Sequence, residues 1–366
     1  MNNKQRIAAG KCVVAFVAIV LYFAVLITPA AAIAAPLPIA PPDDARYIAK
    51  IDGRDFTIYS EGRWQKKFLK GVNMGVGKPG AFPGEHAITK AEYLRWFQNI
   101  SDMNADVIRV YTTQNPDFYE ALHMSNSSAK KPLYLLHGVY MREEAILLLE
   151  DAYSNHSQIK KEFIADAQEL VDVLHGRAKL PEKPGRASGE YKSDVSEYVI
   201  GWILGIEWDP MFVIRTNKRN SGKNRYSGQF LYTEKASPFE AFLCEVGDKV
   251  LSYEFEKYKM LRPLSFSNWL TTDIIKHPNE PFSNEDKVEV NMEHIKYRSA
   301  FKPGVFASYH VYPYYPDFFN YQHSYTEFRD DSGRINTYRA YLRDLFKNHT
   351  MPVLVAEFGV PAARGM

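Results

Sequence analysis

Two glutamates close two strongly apolar stretches of the chain. Glu207 ends Tyr-Val-Ile-Gly-Trp-Ile-Leu-Gly-Ile-Glu, residues 198–207, and Glu357 ends Pro-Val-Leu-Val-Ala-Glu, residues 352–357. A carboxylate at the end of such a run is costly to bury without a partner or a task. Each alone reads equally well as a rim residue paired with a nearby Arg or Lys. Together, two carboxylates facing one another across a pocket are what glycosidic cleavage needs: one protonates the leaving oxygen, the other attacks or directs water. Other side chains near strand ends could contact a sugar. Trp269, in Phe-Ser-Asn-Trp-Leu-Thr-Thr-Asp, either stacks on a sugar face or packs at the rim. His137 either lines a subsite with Tyr140 or is a hydrogen-bonded structural histidine. Asn73 either reaches a sugar hydroxyl or caps its loop. Tyr312, in the stiff aromatic stretch Tyr312-Pro313-Tyr314-Tyr315-Pro316, either walls a cleft or packs against it. Asp209 and Asp273 read as loop or specificity carboxylates rather than catalysts.

The elements that must position these residues alternate. Apolar runs predict strands over 68–73, 107–111, 133–138, 198–206, 264–267, 305–309 and 353–358. Helical spacing falls between most of them, beginning with Thr89, whose partner Glu92 three residues on makes a capping box. Helices are also predicted over 116–123, 143–151, 159–175, 238–260 and 336–349. Repeated strand–helix alternation means a parallel sheet with helices outside, either open and doubly wound or closed as a (β/α)8 barrel. The polar stretches 179–194 and 216–237 favour the barrel, whose sites sit in long loops at the C-terminal ends of the strands. Asp52-Gly53 marks an N-terminal hairpin expected to act as a lid. Glu357 lies nine residues before the end of the sequence, so the expectation is a barrel lacking its eighth βα unit.

The order of these motifs resembles the clan A retaining glycoside hydrolases, (β/α)8 TIM barrels with an acid/base on strand four and a nucleophile on strand seven. The closest likeness is to the family 2 TIM-barrel catalytic domain and the cellulase-like family 5. It runs over roughly residues 45–366, from Phe-Leu-Lys-Gly-Val-Asn-Met-Gly through Asp-Val-Ile-Arg-Val-Tyr-Thr, Gly-Trp-Ile-Leu-Gly-Ile-Glu and Ser-Tyr-His-Val-Tyr-Pro-Tyr-Tyr-Pro to Val-Leu-Val-Ala-Glu-Phe-Gly. The resemblance implies Glu207 as acid/base and Glu357 as nucleophile in a double displacement. It implies Arg109 as the strand-two arginine beside the nucleophile, and His310 and Tyr312 as strand-six contacts to it. Trp208 would give Glu207 an apolar setting. The clan usually has Asn before the acid/base; here Ile206 stands there. The implied activity is hydrolysis or transglycosylation of a polysaccharide or oligosaccharide. The alternative is a catalytically silent carbohydrate-binding barrel, a pseudoenzyme or fragment.

Composition narrows the remaining classes. Lys and Arg number 45 against 43 Asp and Glu, a net charge of +2, which gives no support for a nucleic-acid partner. Two cysteines, Cys12 and Cys244, make neither a disulfide scaffold nor a four-thiolate zinc site. No cofactor or metal is expected. Gly75-x-Gly77-x-x-Gly80 matches a dinucleotide fingerprint, but no helix begins there to meet a pyrophosphate. Residues 1–35 read as a signal peptide or membrane anchor: a basic leader, then the apolar run Cys12–Ile27, then small residues. Residues 36–44 read as a Pro-rich linker and 45–366 as the barrel. The barrel is therefore expected outside the cytoplasm, secreted or tethered to the membrane.

Overall fold

The computed structural model describes residues 45–360, so the expected leader and linker lie outside the described residues. No helix among the described residues is long and apolar enough to cross a membrane. In chain order the strands are β1 (Ala49–Asp52), β2 (Asp55–Ser60), β3 (Arg63–Lys66), β4 (Gly71–Asn73), β5 (Val107–Val110), β6 (Tyr134–His137), β7 (Ala178–Leu180), β8 (Gly189–Tyr191), β9 (Val199–Leu204), β10 (Leu231–Thr233), β11 (Leu264–Trp269), β12 (Ile295–Tyr297), β13 (Ala307–His310) and β14 (Val353–Glu357). The helices are α1 (Lys90–Asp102), α2 (Pro116–Ser127), α3 (Glu144–Leu147), α4 (Ser154–Leu174), α5 (Pro210–Arg219), α6 (Pro238–Tyr258), α7 (Phe318–Tyr321), α8 (His323–Thr326) and α9 (Thr337–Asn348).

Seven strands form one parallel sheet in the order β14-β13-β11-β9-β6-β5-β4. They curl into a nearly closed barrel flanked by helices. The two ends of the sheet approach each other at a seam, where the Asn73 side-chain amide donates to the Ala356 carbonyl at 2.8 Å. Strands β5, β6, β9 and β13 are buried on both faces, which explains their continuous apolar sequence.

The N-terminal hairpin is extended by β3 into a three-stranded antiparallel sheet. Ala49, Phe56 and Ile58 pack with Val107, Tyr134, Leu136, Ile200 and Phe306. Val107 and Tyr134 are the first residues of their strands, so the sheet plugs the N-terminal end of the barrel rather than covering its mouth. Phe56 meets Phe306 edge to face at 5.6 Å.

The expected helix over 143–151 is a single turn, α3, because Leu149 turns to a positive φ of 55°. Helix α5 stands where no helix was expected, its last four residues in the polar stretch 216–237; Asp209 caps it by accepting from the Phe212 N–H at 2.6 Å, and Pro210 opens it. This cap ends the turn that carries Glu207. Gly205 begins that turn at φ 94°, and a Cβ there would meet the Trp208 ring at 2.3 Å, so both the backbone angle and the space require glycine.

Strand β9 is also fastened from outside. Glu254 of α6, fully buried, accepts from Trp202 Nε1 at 3.0 Å and Arg262 Nε at 2.8 Å, and contacts His175 Nε2 at 3.1 Å. Arg262 in turn donates to the Ser196 carbonyl at 2.7 Å and to that of Val199. Removing one member leaves an uncompensated buried charge. Glu254→Ala should therefore cost about 3–5 kcal/mol, read from urea unfolding midpoints. A loss below about 1 kcal/mol would show that the network is not what holds β9.

Candidate active site

Strand register brings the expected residues to one level. Asn73 pairs with Arg109, Trp269 with His310, and His310 with Glu357. All stand at the C-terminal ends of their strands, the end where barrel sites form. The guanidinium of Arg109 lies in the barrel lumen and is 5% exposed, against 18% for the carboxylate of Glu357. Its Nη1 donates to Glu357 Oε1 at 2.6 Å and to Asn73 Oδ1 at 3.4 Å. Its Nη2 lies 3.1 Å from His310 Nε2.

That last contact assigns a tautomer. Arginine has no acceptor, so Nε2 of His310 must accept and the proton of a neutral ring sits on Nδ1. Nδ1 then donates to Glu207 Oε1 at 2.9 Å. A relay of side chains runs from Glu357 through Arg109 and His310 to Glu207, whose side chain is 39% exposed at the cleft. The second oxygen of Glu357 accepts from Tyr312 OH at 2.8 Å. Burial raises the Glu357 carboxyl, but its neighbours His310 and Arg109, with the Arg109 charge and the hydrogen bonds from Arg109 and Tyr312, outweigh it, so its pKa lies below the usual value. Burial and the neighbouring Glu357 push the Tyr312 phenol upward.

Glu207, His310 and Glu357 present donor atoms within 4.8 Å of one another. One carboxylate oxygen of Glu207 and one of Glu357 thus lie within 4.8 Å of each other. A cation could be held by such a set, but Arg109 already supplies positive charge to both Glu357 and His310.

The pair opens into a cleft of about 1720 Å³. One wall is Trp269 stacked on Tyr315, with ring centroids 5.9 Å apart and planes 22° from parallel. Trp269 Nε1 donates to the Trp208 carbonyl at 2.8 Å, and Tyr315 OH to Glu285 Oε1 at 2.7 Å. Tyr312 and Ile206 also line the cleft.

Two candidate residues stand away from it. His137 is fully buried, with Nε2 2.9 Å from Tyr119 OH and Nδ1 3.1 Å from the Gly138 carbonyl, and burial pushes its pKa down to about 3. It sits on the helix-facing side of β6, because Tyr134 and Leu136 take the lumen side. The Trp208 side chain is likewise fully buried, edge to face with Phe239 at 5.1 Å; only its backbone carbonyl serves the site. Asn73 braces the seam and Arg109. Asp209 is the cap of α5, and Asp273 is buried against Tyr341. The cleft also has a charged arm that sequence reading missed: Arg142 and Arg186 both pair with Asp166, at 3.3 and 2.9 Å. Arg186 falls in the polar loop 179–194, the only sign of it beforehand.

No family model matches the sequence, and no curated protein does. Among solved structures, an endo-laminarinase from Formosa Hel1_33_131 is similar over 81% of this chain and 68% of its own, at 11% identity and a TM-score of 0.41.

The lowered pKa of Glu357 has a consequence for acid stability. Its ionised form stabilises the fold above the unfolded value of ~4.3, and that contribution is lost as pH falls through the lower folded value. Glu357→Gln, which leaves Arg109 without its anion, should lower stability at pH 7 by on the order of 2 kcal/mol. The wild-type and variant curves should converge on acidification in denaturant titrations from pH 7 to 2. A constant gap across that range would refute the assignment of Glu357 as an anion held by Arg109.

Proposed function

We propose that this chain is a retaining glycoside hydrolase or transglycosylase acting on a polysaccharide or oligosaccharide. The observation that carries the proposal is the approach of two carboxylates from the fourth and seventh barrel strands, with Arg109 on one of them. Glu357 is held as an anion and attacks the anomeric carbon. Glu207 accepts from His310 at Oε1, which leaves Oε2 to carry the acid proton. As the glycosidic bond breaks, that proton goes to the leaving oxygen. Glu207, now a carboxylate, takes a proton from water or an acceptor sugar, which displaces Glu357 and returns it as an anion. His310 Nδ1–H stabilises the Glu207 carboxylate between the two steps. The stacked Trp269 and Tyr315 offer an aromatic face to a sugar ring. The apolar leader expected over residues 1–35 would place this activity outside the cytoplasm, secreted or on a membrane tether.

The second reading is a carbohydrate-binding barrel without turnover. Ile206 favours it, because an aliphatic side chain cannot hydrogen-bond a sugar 2-hydroxyl in the transition state.

Labelling decides between them. A panel of activated 2-deoxy-2-fluoro glycosides of several configurations is incubated with the full chain and followed by intact mass. At least one should add a single glycosyl unit to the wild type and none to Glu357→Gln. Glu207→Gln should still label, since an activated leaving group needs no acid, while its turnover of unactivated glycans falls about 10²–10⁴-fold. Absence of label across the panel would favour binding without catalysis.

A further inference from the structure

The segment after β11 gathers Asp273, His277 and Asp286, separate from the cleft chemistry above. One donor atom from each lies within 4.8 Å of the others. Asp273 is fully buried; its Oδ1 accepts from the Ile275 N–H at 2.6 Å and its Oδ2 from Tyr341 OH at 2.7 Å. Among the described residues no Lys or Arg forms an ion pair with Asp273 or Asp286. The His277 ring is buried flat against Phe318, with centroids 3.6 Å apart and planes 4° from parallel, which fixes its orientation. Its Nε2 lies 3.1 Å from Tyr325 OH. Its Nδ1 is buried and makes no hydrogen bond, and the Asp286 Oδ1 it faces is 3.5 Å away.

This arrangement is costly as it stands. Ionised carboxylates only accept hydrogen bonds, so a protonated Nδ1 would be drawn into one; it is not. With both carboxylates ionised, a bare Nδ1 sets three lone-pair donors against one another in a water-poor interior without a cation. A metal ion relieves the repulsion and satisfies the orphaned nitrogen together. Nε2–H donating to Tyr325 leaves the Nδ1 lone pair free, the tautomer and outer hydrogen bond that a ligating histidine has. Tyr341 and the Ile275 N–H orient Asp273 in the same way. Ligands at ~2.0–2.2 Å from a common ion lie ~3–3.6 Å apart in tetrahedral geometry, and His277 Nδ1 and Asp286 Oδ1 stand 3.5 Å apart. One imidazole with two carboxylates suits a first-row cation better than Ca²⁺, which favours oxygen alone.

The geometry points to a structural site for a divalent first-row cation, Zn²⁺ foremost, formed by Asp273, His277 and Asp286. Its place gives it a task. Glu285, next to Asp286, holds the Tyr315 hydroxyl, and Tyr315 stacks on Trp269. A cation there fastens the loop that orients the aromatic wall of the cleft.

The test uses the untagged full chain, stripped with EDTA and exchanged into chelator-free buffer. Isothermal titration with Zn²⁺ should give one equivalent bound, and the melting temperature should rise by about 5 °C at saturation. His277→Ala should weaken binding about 100-fold or abolish it. Asp286→Asn, at a half-buried position whose φ of 48° asparagine tolerates, should weaken it about 10-fold and serves if His277→Ala does not fold. Glu207→Gln should bind as the wild type does. The site is refuted if the wild type binds no Zn²⁺, or if binding survives in the folded His277 and Asp286 variants and is lost in Glu207→Gln.

Discussion

The mouth of this barrel is organised around one buried cation. Arg109 stands in the lumen, where water cannot solvate its charge, and every neighbour that satisfies it comes from a different strand. Glu357 arrives from β14, His310 from β13 and Asn73 from β4. The guanidinium is donor-only, so it dictates more than position. It keeps Glu357 an anion and forces Nε2 of His310 to accept. Through that tautomer His310 Nδ1 donates to Glu207. The ionisation of Glu357 is thus set in large part by a residue with no oxygen or lone pair of its own to offer a substrate.

Glu207, the proposed acid, reaches this arrangement by a different route. Glu207 lies beyond the hydrogen-bonded end of β9, on a turn fixed by Gly205 at one side and by the Asp209-Pro210 helix start at the other. The strand beneath it is tied to α6 by a charged network with no solvent contact. A side chain half in water is therefore held by a backbone that has little freedom, so its position does not drift.

How far the sequence disclosed this follows from physics. Strands β5, β6, β9 and β13 were legible because double-sided burial makes them continuous apolar runs. The glutamates stood out because a charge ending such a run is conspicuous. The same double-sided burial hid which side chains face the lumen: in Tyr134-Leu135-Leu136-His137 nothing distinguishes the faces, and His137 points to the helices. Helix α5 was masked by its polar surface, since only Phe212, Val213 and Thr216 with Pro210 are buried. The hairpin was visible, but not the pole of the barrel it would close. The Asp273–His277–Asp286 group carries no spacing motif, because its third member returns from a separate turn. Only the fold reveals it.

The seam between the first and seventh barrel strands sets these residues in a mechanical context. Strand β14 is laddered to β13 on one flank, and across its other flank a single carboxamide from Asn73 reaches it. The residue proposed to form the covalent bond therefore rides on one of the two end strands of the sheet, each laddered on one flank only. Arg109 then serves as a tie-rod as well as a charge. It spans the gap from inside, coupling β5 to β14 where backbone pairing does not. Any fluctuation that widens the gap would stretch this ion pair, so wall rigidity and Glu357 ionisation rise and fall together.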